Sequence, residues 1–126
     1  MKHLYLAVIA TLFLMLPGCG NNADDLGVAG ECTATADCDP DGDLGLTCLT
    51  GFKGGYCGLQ GCTADADCPE PSICVTHDDS VNYCFRTCTD KSECNANRSA
   101  DNEANCSSSI TRVEGGSDKA CVPPSA

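Results

Sequence analysis

The 126-residue sequence has no tryptophan and only three tyrosines and three phenylalanines, so large apolar side chains are scarce. Beyond residue 18 the aromatic side chains are Phe52, Tyr56, Tyr83 and Phe85. So few large apolar groups do not bury enough surface to offset the conformational entropy that the chain loses on folding. A fold held together by an ordinary hydrophobic core alone is therefore excluded, and another source of stability is required.

Basic residues are also few, since seven lysines and arginines stand against eighteen aspartates and glutamates, for a formal net charge of −11. Such a chain repels phosphate backbones, which argues against nucleic acid as a partner. It repels anionic lipid head groups in the same way, so charge alone does not bring it to a membrane. The composition favours a well-solvated acidic surface.

A long apolar run occurs at the N-terminus, where residues 4–16 follow Lys2 and carry no charge. This run has the length of the apolar core of a secretory signal peptide. It is shorter than the roughly 20 apolar residues that a membrane-spanning helix needs. The sequence therefore predicts a signal peptide over residues 1–18 and export of the remaining chain.

The end of this leader, Leu16-Pro17-Gly18-Cys19, resembles the lipobox of bacterial lipoproteins. The resemblance implies that the Cys19 thiol receives a diacylglyceryl group, that cleavage falls before Cys19, and that the new amino terminus is acylated. Two or three acyl chains give stable anchoring, because each buried methylene contributes roughly 0.8 kcal/mol. The alternative is an ordinary signal peptide cut nearby, with Cys19 free or disulfide-bonded.

Cysteine is the residue type in excess, with thirteen in the chain, and the odd number favours acylation of Cys19. Gly20 stands where an aspartate tends to retain members of the lipoprotein family in the inner membrane. The resemblance therefore implies an outer-membrane or cell-surface location, with the protein bound to the membrane through its acyl chains. Residues 19–31 are rich in Gly, Asn and Asp, which predicts a lipidated, flexible tether.

The other twelve cysteines form three repeats, each of which opens with the pattern C-T-x-x-x-[D/E]-C. The opening pairs are Cys32 and Cys38, Cys62 and Cys68, and Cys88 and Cys94. The two cysteines that follow are Cys48 and Cys57, Cys74 and Cys84, and Cys106 and Cys121, respectively. Self-similarity of this kind indicates tandem copies of one module, which we place at residues 32–61, 62–87 and 88–126.

These features predict a small disulfide-rich fold: tandem cysteine-stapled modules with little regular secondary structure, limited to short strands and single helical turns. The segment between the first two cysteines of each repeat has room for about one helical turn, with a threonine or acidic oxygen accepting a backbone N–H. Residues that favour β-structure flank a cysteine at 46–49, 73–76 and 83–85, where we expect short strands.

A lipobox followed by C-T-x-x-x-D-C modules resembles the cysteine-rich lipoproteins of myxobacteria and related proteobacteria, over nearly the whole chain. Several disulfide pairings remain open within each module. Small cysteine-rich modules often join the first cysteine to the third and the second to the fourth, and we adopt that pattern by analogy. The resulting bonds are Cys32–Cys48, Cys38–Cys57, Cys62–Cys74, Cys68–Cys84, Cys88–Cys106 and Cys94–Cys121.

Alternating aspartates in the first module read D-x-D-x-D-G, which resembles the first half of an EF-hand calcium loop. The candidate ligands are Asp37, Asp39, Asp41 and Asp43. The twelfth loop position, which should supply a bidentate acid, is Cys48, so the alternative is an acidic turn without a metal. Apart from this calcium site we expect no cofactor.

Zinc and catalysis find little support in the sequence. Structural zinc sites use close C-x₂-C pairs, which this chain lacks, and export favours disulfides over thiolates. His77, Asp78 and Asp79 offer a base with a partner, but no supported nucleophile accompanies them, and such a run is typical of an exposed turn. We therefore expect that the protein is not an enzyme.

The sequence thus predicts a membrane-anchored cell-envelope lipoprotein with a disulfide-rich, non-catalytic ectodomain that binds a protein or glycan or has a structural role. Rigid disulfide frameworks present loops at a low entropic cost. The candidate contact loops are residues 39–47, 75–83, 95–105 and 107–120. Two alternatives remain open: a disulfide-stapled protease inhibitor and a calcium-dependent adhesive module.

Overall fold

The computed structural model describes residues 27–126, and within them regular structure is confined to short pieces. The helical turns are α1 (Thr35–Cys38), α2 (Lys91–Cys94) and two 3₁₀ turns at Asp65–Asp67 and Ala100–Asn102. The strands are β1 (Thr47–Cys48), β2 (Cys57–Gly58), β3 (Ser72–Thr76), β4 (Asn82–Cys88), β5 (Asn105–Ser107), β6 (Thr111–Arg112) and β7 (Lys119–Val122). The predicted fold class, a small disulfide-rich fold with little regular secondary structure, is confirmed.

The strands form two antiparallel sheets. β1 and β2 pair within the first repeat, with Cys48 opposite Cys57. The other five strands form one sheet in the order β5–β7–β4–β3–β6, centred on the β3–β4 hairpin, in which Cys74 stands opposite Cys84. Because β5, β6 and β7 belong to the third repeat and extend that hairpin on both sides, the second and third repeats share a sheet.

The strands predicted from sequence at 73–76 and 83–85 lie within β3 and β4, and the stretch at 46–49 contains β1. The remaining strands lie in segments where the sequence pattern predicts none. β6 is only two residues long and pairs with β3 rather than with a neighbour in sequence. Such strands depend on tertiary pairing, which a local pattern does not encode.

Each repeat contains two disulfides, six in all, and none of them joins one repeat to another in residues 27–126. The bonded pairs are Cys32–Cys48, Cys38–Cys57, Cys62–Cys74, Cys68–Cys84, Cys88–Cys106 and Cys94–Cys121. In each repeat the two bonds lie side by side, since three sulfur atoms from the pair of disulfides lie within 4.8 Å of one another. Each bond contributes on the order of 3 kcal/mol in the chain-entropy model.

The few aromatic side chains gather into one cluster. Phe52 packs edge-on against Tyr83 with ring centroids 5.1 Å apart, and Tyr56 packs against Phe85 at 5.3 Å. Tyr56 and Phe85 are fully buried. The Tyr56 hydroxyl donates to the Cys121 carbonyl oxygen at 3.1 Å, so residues from all three repeats meet at this ring.

A buried arginine, Arg98, connects the third repeat to the first and to the N-terminal segment. Its side chain is 8% exposed and lies over the Tyr56 ring, 5.8 Å from the centroid. The guanidinium donates to four carbonyl oxygens, those of Ala29 (3.2 Å), Gly55 (2.8 Å), Lys53 (2.8 Å) and Asn102 (2.7 Å). The planar guanidinium holds its N–H donors in fixed directions and so can reach several carbonyl oxygens at once. A lysine ammonium has only three donors on one nitrogen atom and cannot replace it here.

The C-terminal end of the predicted tether differs from the expectation. Val28 and Ala29 are each only 2% exposed, and Ala29 N donates to the Cys57 carbonyl at 3.0 Å. The Glu31 carboxylate accepts hydrogen bonds from Ser99 N at 2.6 Å and from the Asn102 amide at 3.0 Å. The packed part of the structure therefore includes Val28, Ala29 and Glu31, because backbone pairing and Arg98 hold a segment that lacks any apolar periodicity.

Replacing Arg98 by methionine should destabilise the folded protein by about 3 kcal/mol, because buried carbonyl oxygens lose their donors. The matched control is Lys91→Met, because the Lys91 side chain is 53% exposed and makes a surface ion pair with Glu103. Surface ion pairs contribute little to the free energy of unfolding. The free energies of unfolding are measured by chemical denaturation with the disulfides intact. Equal values for the two variants would contradict the role assigned to Arg98.

Candidate functional site

The repeated threonine and acid of the C-T-x-x-x-[D/E]-C pattern form the same hydrogen-bonded turn three times. In the first repeat the Asp37 carboxylate accepts hydrogen bonds from Thr33 N at 2.9 Å, Thr33 Oγ1 at 3.2 Å and Ala34 N at 3.1 Å. In the second repeat Asp67 accepts the equivalent bonds from Thr63 and Ala64. These bonds satisfy backbone N–H groups that a one-turn helix leaves free.

The third repeat uses the longer glutamate side chain for the same purpose. The Glu93 carboxylate accepts from Thr89 N at 3.1 Å, from the Thr89 hydroxyl, and from Asp90 N at 3.2 Å. The Asp90 side chain adds a true N-cap, because it accepts from Ser92 N at 3.0 Å. The repeated acids therefore stabilise the turn between the first two cysteines.

Hydrogen bonding lowers the pKa of each of these acids. The main cause is the backbone N–H of Thr33 for Asp37 and that of Thr63 for Asp67. For Glu93 it is the side-chain hydrogen bond from Thr89. All three carboxylates are ionised at neutral pH, and their lone pairs are directed at the protein's own backbone.

The four aspartates of the predicted calcium loop are not brought together. Asp37 is occupied by the turn described above, and Asp39, 7% exposed, accepts hydrogen bonds from Asp43 N at 3.1 Å and from Leu44 N at 3.0 Å. Within residues 27–126, no group of three carboxylate or imidazole ligand atoms converges as a metal site requires. The segment is an acidic turn that has no preformed set of calcium ligands. Calcium binding there stays a prediction.

The convergent sulfur atoms do not form a zinc site, because every cysteine between residues 32 and 121 is in a disulfide. Zinc binds thiolates, which oxidised sulfur cannot supply. The imidazole of His77, the other candidate zinc ligand and base, packs edge-on against the rings of Phe52 at 5.4 Å and Phe85 at 5.7 Å. In this position its role is to extend the aromatic cluster.

A cleft of about 350 Å³, here called the Tyr83 cleft, lies between the first and second repeats. The side chains that line it include those of Thr47, Thr50, Phe52, Gln60, Asp79 and Tyr83. The first repeat supplies one wall, from β1 and the turn that follows it, and the β3–β4 hairpin supplies the opposite wall. The fold positions both walls rigidly, because Cys48 is disulfide-bonded and His77 N donates to the Val81 carbonyl across the hairpin turn at 2.9 Å.

Asp79 and Tyr83 form a hydrogen-bonded pair at this cleft. The Tyr83 hydroxyl donates to Asp79 Oδ2 at 2.6 Å, and Val81 N donates to Asp79 Oδ1 at 3.0 Å. The bond from Tyr83 lowers the pKa of Asp79, while burial, followed by the neighbouring Asp79 carboxylate, raises the pKa of Tyr83 to about 12. At neutral pH the cleft therefore presents a carboxylate acceptor beside a neutral phenol.

Two other residues of the Tyr83 cleft have polar side chains that are free to bind a ligand. Thr50 and Gln60 are exposed, and neither side chain hydrogen-bonds to another residue in the part of the chain that the structure describes. By contrast, Glu31, Asp37 and Asp65, which line two other clefts, already accept hydrogen bonds from the protein. Asp65 lines a shallow cleft of about 680 Å³, but it accepts from Cys74 N at 2.9 Å and pairs with Arg112 at 3.0 Å.

The residues that line the Tyr83 cleft lie only partly within the contact loops predicted from the sequence. Thr47, Asp79 and Tyr83 belong to the loops at 39–47 and 75–83, whereas Thr50, Phe52 and Gln60 lie outside all four loops. No local pattern marks these three, because they become neighbours of Asp79 only when the two repeats pack together. The loop at 95–105 contributes instead to folding, through Arg98 and through Asn95, which bonds both backbone groups of Ala104.

No protein-family model, curated protein or solved structure matches the chain. The resemblance to cysteine-rich lipoproteins therefore depends on sequence motifs alone and stays a prediction. The acylation site predicted at Cys19 lies outside the described residues. Among the helices of residues 27–126, none has the length and apolar character needed to cross a bilayer.

The lowered pKa values of the cap acids predict that stability is lost in acid. A carboxylate whose pKa is lower in the folded state stabilises the protein fully above its unfolded pKa, and that stabilisation disappears as the pH falls through the folded pKa. Asp67→Asn should therefore show a shallower fall in melting temperature than wild type between about pH 5 and about pH 2. Asp101→Asn, at an exposed site whose side chain hydrogen-bonds to no other described residue, serves as control, and equal slopes for both variants would contradict the assignment.

Proposed function

We propose that the protein is a lipid-anchored cell-envelope protein in which Cys19 carries the acyl chains and the disulfide-stapled domain is a non-catalytic binding module. The observation that carries this proposal is the complete pairing of the twelve cysteines from Cys32 to Cys121. That pairing leaves Cys19, at the lipobox position, as the odd cysteine among thirteen. An unpaired thiol in an oxidising compartment is a liability that acylation removes.

The six disulfides also support a location outside the cytoplasm, because such bonds persist in oxidising compartments. If Cys19 is anchored, the domain lies close to the membrane. At about 3.5 Å per residue, the chain from Cys19 to Gly27 spans at most roughly 28 Å. The acidic surface disfavours adsorption of the domain onto anionic head groups, which leaves its clefts accessible to a ligand.

The chemistry of the Tyr83 cleft supports binding rather than catalysis. Its carboxylate has a lowered pKa and its phenol a raised one, so neither group is poised to exchange a proton near neutral pH. His77, the nearest imidazole to this pair in sequence, is packed in the aromatic cluster. A rigid cleft with fixed acceptors and free hydroxyl and amide groups suits the recognition of a ligand.

Replacing Cys19 by alanine should release the protein from the membrane fraction without disturbing the fold. Intact-mass measurement should show acyl chains on the wild-type protein and none on Cys19→Ala, with all other cysteines oxidised in both. Gly20→Ala, which changes the adjacent residue, should remain acylated and membrane-bound. A wild-type protein that is recovered in the aqueous fraction with an unmodified residue 19 would refute the proposal.

A further inference from the structure

The size and shape of the Tyr83 cleft favour a small ligand over a protein surface. A volume of about 350 Å³ is near the lower end of the usual range for small-molecule sites. A protein partner usually covers about 800 Å² of surface around buried apolar anchors. The large apolar side chains exposed in residues 27–126 are Leu44 and Val113, and neither lines this cleft.

The groups that line the cleft match a ligand with many hydroxyls. The Thr50 hydroxyl and the Gln60 amide can each both donate and accept, and the Thr47 hydroxyl, which donates to the Gly58 carbonyl oxygen at 3.5 Å, can still accept. Each Asp79 oxygen accepts one hydrogen bond from the protein and keeps capacity for another. Phe52 and Tyr83 line the cleft but are 5% and 7% exposed, so each offers only a narrow apolar edge to C–H groups.

Charge selects among hydroxylated ligands. The chain has a formal net charge of −11, and the Asp79 carboxylate lines the cleft itself. Uronic acids, sulfated sugars and phosphorylated sugars bring a like charge next to this group, which is unfavourable. An uncharged sugar has hydroxyl groups that can donate hydrogen bonds to the Asp79 carboxylate, and it avoids the repulsion between like charges.

We propose that the Tyr83 cleft binds an uncharged saccharide unit, with Asp79, Gln60 and Thr50 hydrogen-bonding its hydroxyls and the edges of Phe52 and Tyr83 contacting its C–H face. This inference rests on the proposed role of the domain as a binding module of the cell envelope. The walls of the cleft are fixed before the ligand arrives, so little ordering entropy opposes binding.

The native protein, in a detergent without a sugar head group, is titrated with neutral oligosaccharides of glucose, mannose, galactose and N-acetylglucosamine, and with an oligogalacturonate. Heat of binding and tyrosine fluorescence are recorded together. The chain has no tryptophan, and of the two described tyrosines Tyr56 is fully buried, so the fluorescence change reports Tyr83. We expect saturable binding of at least one neutral saccharide and none of the oligogalacturonate.

Two variants locate the binding. Asp79→Asn and Gln60→Ala should each weaken affinity by about tenfold, the effect of losing hydrogen bonds to a ligand. Gln60 makes no side-chain bond within residues 27–126, so Gln60→Ala tests the cleft even if Asp79→Asn disturbs the hairpin. The matched control, Asp78→Asn, changes the adjacent exposed acid, which lies outside this cleft, and should leave affinity unchanged.

The absence of saturable binding for every neutral saccharide overturns the inference. Stronger binding of the oligogalacturonate, or an equal loss of affinity in Asp78→Asn, overturns it as well. The mass of the same sample reports acylation at Cys19 independently. A protein that binds saccharide without acyl chains would refute the anchoring proposal alone, whereas an acylated protein that binds none would refute only the saccharide assignment.

Discussion

The paired disulfides of each repeat are the constraint on which the rest of the structure depends. Each closes a loop of 12 to 27 residues and contributes on the order of 3 kcal/mol. Six such bonds together exceed the net stability of about 5–15 kcal/mol that is typical of a folded domain. With only four aromatic side chains beyond residue 18, the apolar cluster around Tyr56 and Phe85 is too small to replace them.

The disulfides lie within repeats, so the arrangement of one repeat against another depends on noncovalent contacts. The shared sheet joins the second and third repeats, and Tyr56 and Arg98 bring the first into contact with the third. Burying a guanidinium is costly unless its donors are satisfied. Arg98 meets that condition by donating to four backbone carbonyls, and it also holds the segment that leads towards Cys19.

The cysteine pattern predicts the fold class and the one-turn helices, and β-forming residues predict strands at 73–76 and 83–85, because each depends on residues close in sequence. These patterns do not predict the burial of Val28 and Ala29, the position of Arg98 or the Tyr83 cleft, since these depend on how repeats pack.

The calcium hypothesis shows a second reason why prediction of a site from the sequence can fail. The alternating aspartates place Asp37 in a calcium loop, yet an acid recurs at its position in the repeats that lack such a loop, as Asp67 and Glu93. That recurrence points to a role in folding.

One position of the repeat has a different role in each module. The residue before the fourth cysteine is Tyr56 in the first repeat, Tyr83 in the second and Ala120 in the third. Tyr56 is buried and donates to a backbone carbonyl, so it serves packing. Tyr83 instead directs its hydroxyl to Asp79 at a cleft.

The threonine, the acid and the cysteines of the pattern recur because every module needs them to fold, whereas Thr50, Gln60 and Asp79 have no part in the repeated pattern. Thr50 and Gln60, whose side chains hydrogen-bond to no other described residue, lie beside Asp79 in the cleft, and the proposed binding function depends on these three residues.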